Sequence, residues 1–530
     1  MNKSILLDVT YRIKTNCIND FIACIRQEKI QELSRDERGN IEYQYQFPEE
    51  TSGENTIVHL REIWRDREAW NSHKESEHFK KLQTIKEKYV KDTRIKEQML
   101  YIAETCDVPV KGLVTVPGSK SMTNRALLLA ALSEEKSRLQ GVLFSDDSRH
   151  FLKCLISMGF ELQIDEENKS VEIHGCGGRI PVKTGTIDVG SAGTAARFLT
   201  AMLALSDGTY TIHCSEQMKK RPMAELFRVL SEMGAEFKYL EQEEHLPVQV
   251  TGIGYQTRGT KEIHMDISKS TQYLSAMLMM APILAGGLKI YITSEKKDGS
   301  YVRITRKMLE QFGVKSDFDG SSYYVEGNQN IHVGNYYIEP DVSAACYFYG
   351  IAAITGGRVI VRNVKFSSMQ GDMKFIALLE RMGCTIEETP DGICVNGPAE
   401  GKYNGMDVDM NDFSDQALTL AVLAAFAKSD TRIRNIGHIR GQECNRMAAI
   451  VNELKKCGID CREEGDDIII CHGTPHGTVI DTYEDHRVAM AFSLLGLKVK
   501  GIMIENPQCC SKTFEDYFDV LEELIQENKK

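Results

Sequence analysis

Residues 117–132 read Pro-Gly-Ser-Lys-Ser-Met-Thr-Asn-Arg-Ala-Leu-Leu-Leu-Ala-Ala-Leu. The second half is Ala and Leu on every side, which predicts a helix buried all round rather than one lying on a surface. The first half places Lys120, Ser121 and Arg125 at the start of that helix. There the unpaired N–H groups and the positive end of the dipole attract anions. The glycine spacing is not that of a Walker A loop, which needs G-x-x-x-x-G-K. A buried helix with a polar, cationic start is the unit from which the rest of the chain can be read.

The same unit recurs. Apolar helices rich in small residues begin near Ser121, Ser191, Ser270, Ser343, Asp415 and Asp485, at intervals of 70, 79, 73, 72 and 70 residues. A second series, Leu-x-x-apolar-Gly, lies between them and ends at Gly159, Gly234, Gly313, Gly383 and Gly458, at intervals of 75, 79, 70 and 75 residues. Each of these glycines follows an amphipathic stretch and precedes a short alternating segment such as Thr385-Ile386-Glu387-Glu388. That order predicts a helix, a glycine at positive φ and a strand. Two interleaved series in phase give about six α/β units from residue 106 to 530, the last ending in the amphipathic segment from Tyr517 to Leu524.

Residues 1–105 lack the repeat. Strands are expected over Ser4 to Ile13, Ile41 to Phe47, Thr56 to Trp64 and Gln98 to Ala103. Helical spacing covers Ile18 to Leu33 and Arg67 to Tyr89. The order βαββαβ predicts a ferredoxin-like α+β module. Both tryptophans of the chain, Trp64 and Trp70, lie in it. With Phe79 and Tyr89 they exceed what so small a core needs, which points to a protein–protein contact. The six units are expected to complete their core without residues 1–105.

The chain has 530 residues, 42% hydrophobic and 26% charged, the balance of a soluble globular protein. No apolar run reaches the roughly 20 residues of a membrane helix. Ile5-Leu6-Leu7, ended by Asp8, is too short for a signal peptide. The 15 cysteines are scattered without CxxC pairs, as in a reduced cytosolic protein. A net charge of −12 argues against nucleic acid as a partner but allows a local basic pocket for small anions. A cytoplasmic location, without nucleic-acid or membrane partners, is therefore expected.

Further polar segments occupy the helix starts. Gly190-Ser191-Ala192-Gly193-Thr194-Ala195-Ala196-Arg197 lets backbone approach a ligand closely. Lys219-Lys220-Arg221-Pro222 sets cations before a proline at a first helical position. Gln442-Glu443-Cys444-Asn445-Arg446, Asp485-His486-Arg487 and Ser511-Lys512-Thr513 bring carboxylates beside cations among apolar neighbours. A buried carboxylate next to cations can move a proton. Taken singly, each segment also reads as a solvated basic helix start or a structural salt bridge.

Taken together, the motifs at 117–125, 192–197, 219–222, 485–487 and 512–514 resemble those of 5-enolpyruvylshikimate-3-phosphate synthases, in order and spacing, over residues 106 to 530. The resemblance implies an α/β enolpyruvyl transferase fold of six βαβαββ units in two domains. These would comprise residues 106–118 plus 340–530 and residues 119–339, with the ferredoxin-like module at 1–105 and crossings near residues 119 and 339. It implies transfer of the enolpyruvyl group of phosphoenolpyruvate to the 5-hydroxyl of shikimate 3-phosphate, a step of aromatic amino acid biosynthesis. No cofactor and no metal are implied. Phosphoenolpyruvate contacts are implied for Lys120, Gly193, Arg221, Arg446, Arg487 and Lys512. Shikimate 3-phosphate contacts are implied for Ser121, Arg125, Ser270, Thr271, Gln272, Asp415 and Gln442. Asp415 would take the hydroxyl proton, Glu443 would protonate the enol carbon, and Lys120 and His486 complete the catalytic set. Glyphosate, which occupies the phosphoenolpyruvate position in this family, is an expected inhibitor.

Several positions depart from the family pattern. Gln442 stands where Lys is common, His438 where Asn is common, Asn445 for Asp and Ser191 for Asn. Asp298-Gly299-Ser300-Tyr301 replaces Ser-Lys-Pro-Tyr, so a hydroxyl is expected to be missing there. Two alternatives follow: a catalytically silent paralogue that binds shikimate phosphate, or a UDP-N-acetylglucosamine enolpyruvyl transferase. The latter carries a reactive Cys five residues before a mobile-loop Arg, where this chain has Glu216, with Cys214 nearby. Residues 1–105 resemble antibiotic-biosynthesis-monooxygenase-like domains through Glu62-Ile63-Trp64, Trp70, His73 and Ser76-Glu77-His78-Phe79. Such domains often dimerise through their sheets, so a homodimer through residues 1–105 is expected.

Overall fold

The computed structural model describes residues 3–48, 57–254 and 260–529; Thr56, where one expected strand begins, lies outside them. Six apolar helices are buried almost completely: Lys120–Leu132, Gly193–Leu205, Gln272–Met280, Val342–Thr355, Ala417–Ala424 and His486–Ser493. The amphipathic helices between them end at glycines with φ of 87°, 114°, 85°, 92° and 82° at residues 159, 234, 313, 383 and 458. A side chain there would strain the turn, so these glycines fix where each helix stops and each strand begins. The helices pack with five four-stranded sheets that each combine one parallel pair with antiparallel neighbours. This is the mixed α/β architecture that the repeats predict.

Two of the parallel pairs join distant parts of the chain. Lys111–Val114 pairs with Arg358–Arg362, and Asn335–Tyr337 with Lys136–Gln140. Where the chain passes between its two large cores, the outgoing and returning segments lie side by side. Gly118 bridges Pro340, Ser119 N donates to Glu339 O at 2.8 Å, and Asp341 N donates to Pro117 O at 2.8 Å. A Cβ on Gly118 would lie 1.9 Å from Gly141 O, so the close approach needs glycine. Asp341 then caps two helices at once, its carboxylate accepting from Ala344 N at 3.0 Å and from Lys120 N at 3.1 Å.

The N-terminal module is ferredoxin-like. Its strands Lys3–Ile13, Asn40–Gln46, Ile57–Trp64 and Val90–Ile102 are ordered second, third, first, fourth, with helices packed on one face. The single helix expected over Ile18 to Leu33 is two, because Lys29 takes φ 50° and breaks it into Ile18–Gln27 and Ile30–Arg35. The stretch from Arg67 to Tyr89, whose spacing allows one or two helices, is two, parted at Ser76.

Two expectations for this module need correction. The aromatics read as surplus are used internally: Trp64 and Tyr89 are buried in the module's own core, with Trp70 and Phe79 packed against it. The six units also do not close without residues 1–105. Val90–Ile102 pairs antiparallel with Met503–Glu505, which pairs with Val479–Ile480, so one sheet runs from the module into the last repeat unit. Tyr101 and Ala103 belong to the core that contains residues 342–525, and Tyr101 packs on Phe518 with ring centroids 4.2 Å apart. The last strand of the module is thus the first strand of the repeat.

A chain truncated to begin at Gln98 should therefore unfold cooperatively with a Tm near that of the same region in the full protein. One beginning at Cys106 should be destabilised by about 3–5 kcal/mol, the usual cost of losing a buried large aromatic. Calorimetry of both truncated chains checks this; equal Tm values would show that the shared strand contributes nothing.

Candidate active site

The starts of the buried helices converge between the two large cores on a cavity of about 110 Å³, which opens beside a second of about 630 Å³. The smaller is lined by Lys120, Ser121, Arg125, Gly193, Arg221, Gln272, Asp415, Gln442, Glu443, Arg446, His486 and Arg487. Ser270 and Thr271 line the larger, while Arg221, Gln272, Asp415 and Gln442 face both. Lys512 reaches the smaller cavity through Glu443, with Nζ 3.7 Å from Oε1. All the residues singled out from sequence are thus brought together, although they span almost 400 positions of the chain.

Arg446 is the hub. It is 1% exposed and begins the helix Arg446–Lys456, which Asn445 caps by accepting from Ala448 N at 3.2 Å. Asn445 thus supplies the side-chain cap of this helix. The Arg446 guanidinium donates from Nη1 to Asp415 Oδ1 at 3.0 Å, from Nη2 to Glu443 Oε2 at 2.8 Å and from Nε to Asp485 Oδ2 at 2.7 Å. Nη1 also donates to Gln442 Oε1. Asp415 accepts further from Arg487 Nη2 at 3.0 Å and from the Tyr301 hydroxyl. Burial alone would raise the Asp415 carboxyl, but Arg487 and Arg446 pull it below the usual carboxylate range. Burial would raise Glu443 too, yet Arg446, Lys512, Arg221 and Lys120 hold it well below that range.

Several cations keep donors to spare. Lys512 Nζ and Arg221 Nε are buried without hydrogen-bond partners. Arg221 Nη1 lies 3.8 Å from Glu443, and Lys120 Nζ lies 3.5 Å from Asp147. Such donors, already desolvated, suit an incoming anion with several oxygens. A Cβ on Gly193 would fall 2.6 Å from the guanidinium ends of Arg197 and Arg221, so this glycine leaves the space in which Arg221 sits. His486 is buried with neither ring nitrogen hydrogen-bonded. Burial, then Lys120 and Arg487, drive its pKa well below the ordinary value, so it is a neutral ring here.

Arg125 is bound differently from the other cations. Nε donates to Thr305 Oγ1 at 2.7 Å, Nη1 to Ser121 O at 2.8 Å, and Nη2 to Ser275 Oγ and Tyr301 O, both at 3.2 Å. Most of its fork ties helix starts together. In the larger cavity Lys296 Nζ donates to Asn411 Oδ1 at 2.6 Å, and Ser414 hydrogen-bonds His438 Nε2 at 2.8 Å. The hydroxyl expected to be missing at 298 is not lost from the site. Asp298 turns to Arg303 and Tyr323, while Ser300 lines both cavities.

Sequence reading missed Tyr301 as a partner of Asp415, Asp485 as the third carboxylate on Arg446, and Asp372. The last is buried beside Asp415, and burial followed by that neighbouring charge raises its pKa to about 6. Asp485 could have been found as the residue before His-Arg at a helix start, where it caps by accepting from Arg487 N at 2.9 Å. Tyr301 is the one residue of its segment that keeps the Ser-Lys-Pro-Tyr pattern, a signal that could have marked it, whereas nothing in the local sequence marks Asp372.

The fold and the cleft define a class: α/β enzymes of repeated units that handle small polyanions between two lobes. Residues 105–521 match the EPSP synthase (3-phosphoshikimate 1-carboxyvinyltransferase) family, and residues 5–84 match the antibiotic biosynthesis monooxygenase family. A 3-phosphoshikimate 1-carboxyvinyltransferase of Trichormus variabilis is 40% identical over 411 residues, covering 77% of this chain and 95% of the relative. One of Vibrio campbellii is 40% identical over 420 residues, covering 78% and 97%. The structure of EPSP synthase from Acinetobacter baumannii superposes with a TM-score of 0.67 at 25% identity, covering 81% of this chain and 98% of that one. The chain belongs to the EPSP synthase family, with a monooxygenase-like module at its N-terminus.

Gly193→Ala should push the Arg221 guanidinium aside. The expected result is a KM for phosphoenolpyruvate raised about 10-fold, equivalent to about 1.4 kcal/mol of binding. Inhibition by glyphosate should weaken in the same variant. Steady-state kinetics with and without the inhibitor check both effects; unchanged KM and inhibition would place the anion away from Gly193.

Proposed function

We propose that this chain transfers the enolpyruvyl group of phosphoenolpyruvate to the 5-hydroxyl of shikimate 3-phosphate, releasing phosphate. The observation that carries the reading is the shared guanidinium: Asp415 and Glu443 are both held by Arg446, at 3.0 and 2.8 Å. Addition across an enol double bond needs one base and one acid on opposite partners. Asp415, fixed by Tyr301 and Arg487, takes the hydroxyl proton as the sugar oxygen bonds to the central carbon. Glu443 protonates the methylene. The adduct then returns a methyl proton to Glu443 while the C–O bond to phosphate breaks, and the hydroxyl's proton leaves with the phosphate.

The cations around Glu443 outweigh the effect of burial and hold its pKa well below the usual carboxylate range, so it needs a proton before it can act. Phosphoenolpyruvate supplies the means. Its carboxylate and phosphate draw on Lys120, Arg221, Arg487 and Lys512, relieving the positive field that keeps Glu443 ionised. The larger cavity, with Ser270, Thr271, Gln272 and Lys296, is assigned to shikimate 3-phosphate. The working division is residues 119–339 against residues 340–530 with 106–118, closing over the cleft.

The alternatives find less support. A silent paralogue would have no use for two buried carboxylates sharing one cation. For the UDP-N-acetylglucosamine reaction a reactive thiolate is required, whereas burial raises Cys214 to about 11. A cytoplasmic location and glyphosate sensitivity belong to this proposal. So does a homodimer through residues 1–105, which now rests on the exposed Ile57 and Ile95 instead of the aromatics. Light scattering of the full chain tests the dimer.

The reaction is tested by phosphate release with both substrates. Wild type should turn over, and Asp415→Asn and Glu443→Gln should each lower kcat by about 10²–10⁴-fold with folding intact. Near-normal turnover in both variants would remove these roles, and an inactive wild type would favour the silent paralogue.

A further inference from the structure

Within the N-terminal module, away from the cleft, three side chains of metal-ligating type meet at one point. His73 Nδ1 lies 2.5 Å and His78 Nε2 lies 2.6 Å from the same oxygen, Glu37 Oε1. They come from three segments. Glu37 follows the helix Ile30–Arg35, His73 lies in the last turn of Arg67–Glu75, and His78 is the second residue of Glu77–Tyr89. The break at extended Ser76 turns the two imidazoles toward each other; in one continuous helix, residues five apart would not share a face.

The site is shielded and rigid. The His73 side chain is 0% exposed, against 12% for His78 and 18% for Glu37. The His73 ring is clamped by Trp64 at 4.5 Å, Phe79 at 5.0 Å and Tyr43 at 5.5 Å between centroids. Its Nε2 is buried without a hydrogen bond, so Nδ1 is its one polar engagement, and that is aimed at Glu37. The small exposure of His78 gives an entry path.

Charge makes the same point. Among the described residues Glu37 has no ion pair with Lys or Arg, only with the two imidazoles. A second buried carboxylate, Glu62, accepts from Trp64 Nε1 at 2.9 Å, and burial raises it to about 7, with Glu37 adding to the rise.

We propose that Glu37, His73 and His78 bind one divalent transition metal ion, of the zinc, cobalt or nickel class, inside the N-terminal module. Two imidazoles and one carboxylate suit such ions, whereas calcium and magnesium prefer all-oxygen sets. Three protein ligands leave a fourth position for water or a small ligand, entered past His78. The ligand atoms need to separate by only a fraction of an ångström to admit the ion, because tetrahedral ligands about 2.0–2.1 Å from zinc stand roughly 3.3 Å apart.

The test uses the full chain stripped of metal with a chelator, then titrated with Zn²⁺ by calorimetry. One equivalent should bind. Glu37→Gln keeps the side chain's shape, and His78→Ala alters a partly exposed ring; each should weaken binding by roughly 100-fold or more, beyond the range of outer-shell changes. Unchanged near-ultraviolet circular dichroism, which reports Trp64 and Trp70 of this same module, would show that both variants are folded. Because the 15 cysteines are free, a Co²⁺ titration discriminates the ligands: nitrogen–oxygen visible bands without thiolate charge transfer are expected. Absence of stoichiometric uptake, uptake undiminished in both variants, or a thiolate-type cobalt spectrum would each overturn the proposal. The first of these would leave a triad joined only by hydrogen bonds.

Discussion

The buried guanidinium of Arg446 is the constraint on which the site depends. It sits at 1% exposure among Asp415, Glu443 and Asp485, each within 3.0 Å of one of its nitrogens. Removing one member of such a buried cluster leaves charge without compensation, at a cost of about 3–5 kcal/mol. A well-packed apolar replacement for the whole cluster could be as stable, so stability alone does not explain its presence. What the cluster supplies is position. One planar cation holds two proton-transfer candidates at fixed bearings, and Arg487 and Tyr301 restrict Asp415 further.

The repeat explains how distant residues reach that cluster. Each unit delivers a buried helix whose start faces the cleft, and each start brings free N–H groups and one or two polar side chains. Two of these starts are capped by carboxylates, at Asp341 and Asp485, and the amphipathic helix that Arg446 begins is capped by the amide of Asn445. Two of these caps serve twice. Asp341 holds helix starts from both sides of the crossing, and Asp485 holds both Arg487 N and Arg446. Local helix chemistry and site geometry are therefore the same hydrogen bonds.

This is also why so much could be read from sequence. The positive-φ glycines, the all-apolar helices and the polar starts are local signals, and their spacing carried the fold. The cations and the pair Asp415 and Glu443 sat within those signals. What escaped was long-range. Tyr301 meets Asp415 across 114 positions, and Asp372 is significant only because folding buries it beside Asp415. The sheet shared between module and repeat was equally hidden, because strand pairing between residues 102 and 503 leaves no mark in either segment alone. Surplus aromatics misled for a related reason: a small module with a sheet extended by its neighbour can bury more than its own length suggests.

The shared sheet bears on the place of the N-terminal module. Val479–Ile480 leads within five residues to Asp485, His486 and Arg487, and Met503–Glu505 leads through Pro507–Lys512 to Lys512. Asn506 N donates to Met99 O at 2.9 Å, so the hydrogen bonding continues past the strand toward that lysine. The edge on which the module is built therefore carries the segments that present two cations, Arg487 and Lys512, and the helix cap Asp485 to the cleft. A rigid strand pairing cannot shift at Val90–Ile102 without shifting Met503–Glu505, whereas a module tethered by a flexible linker would leave these segments untouched. The connection is mechanical as well as covalent, and it places any ligand held by residues 1–105 one sheet away from Lys512 and Arg487.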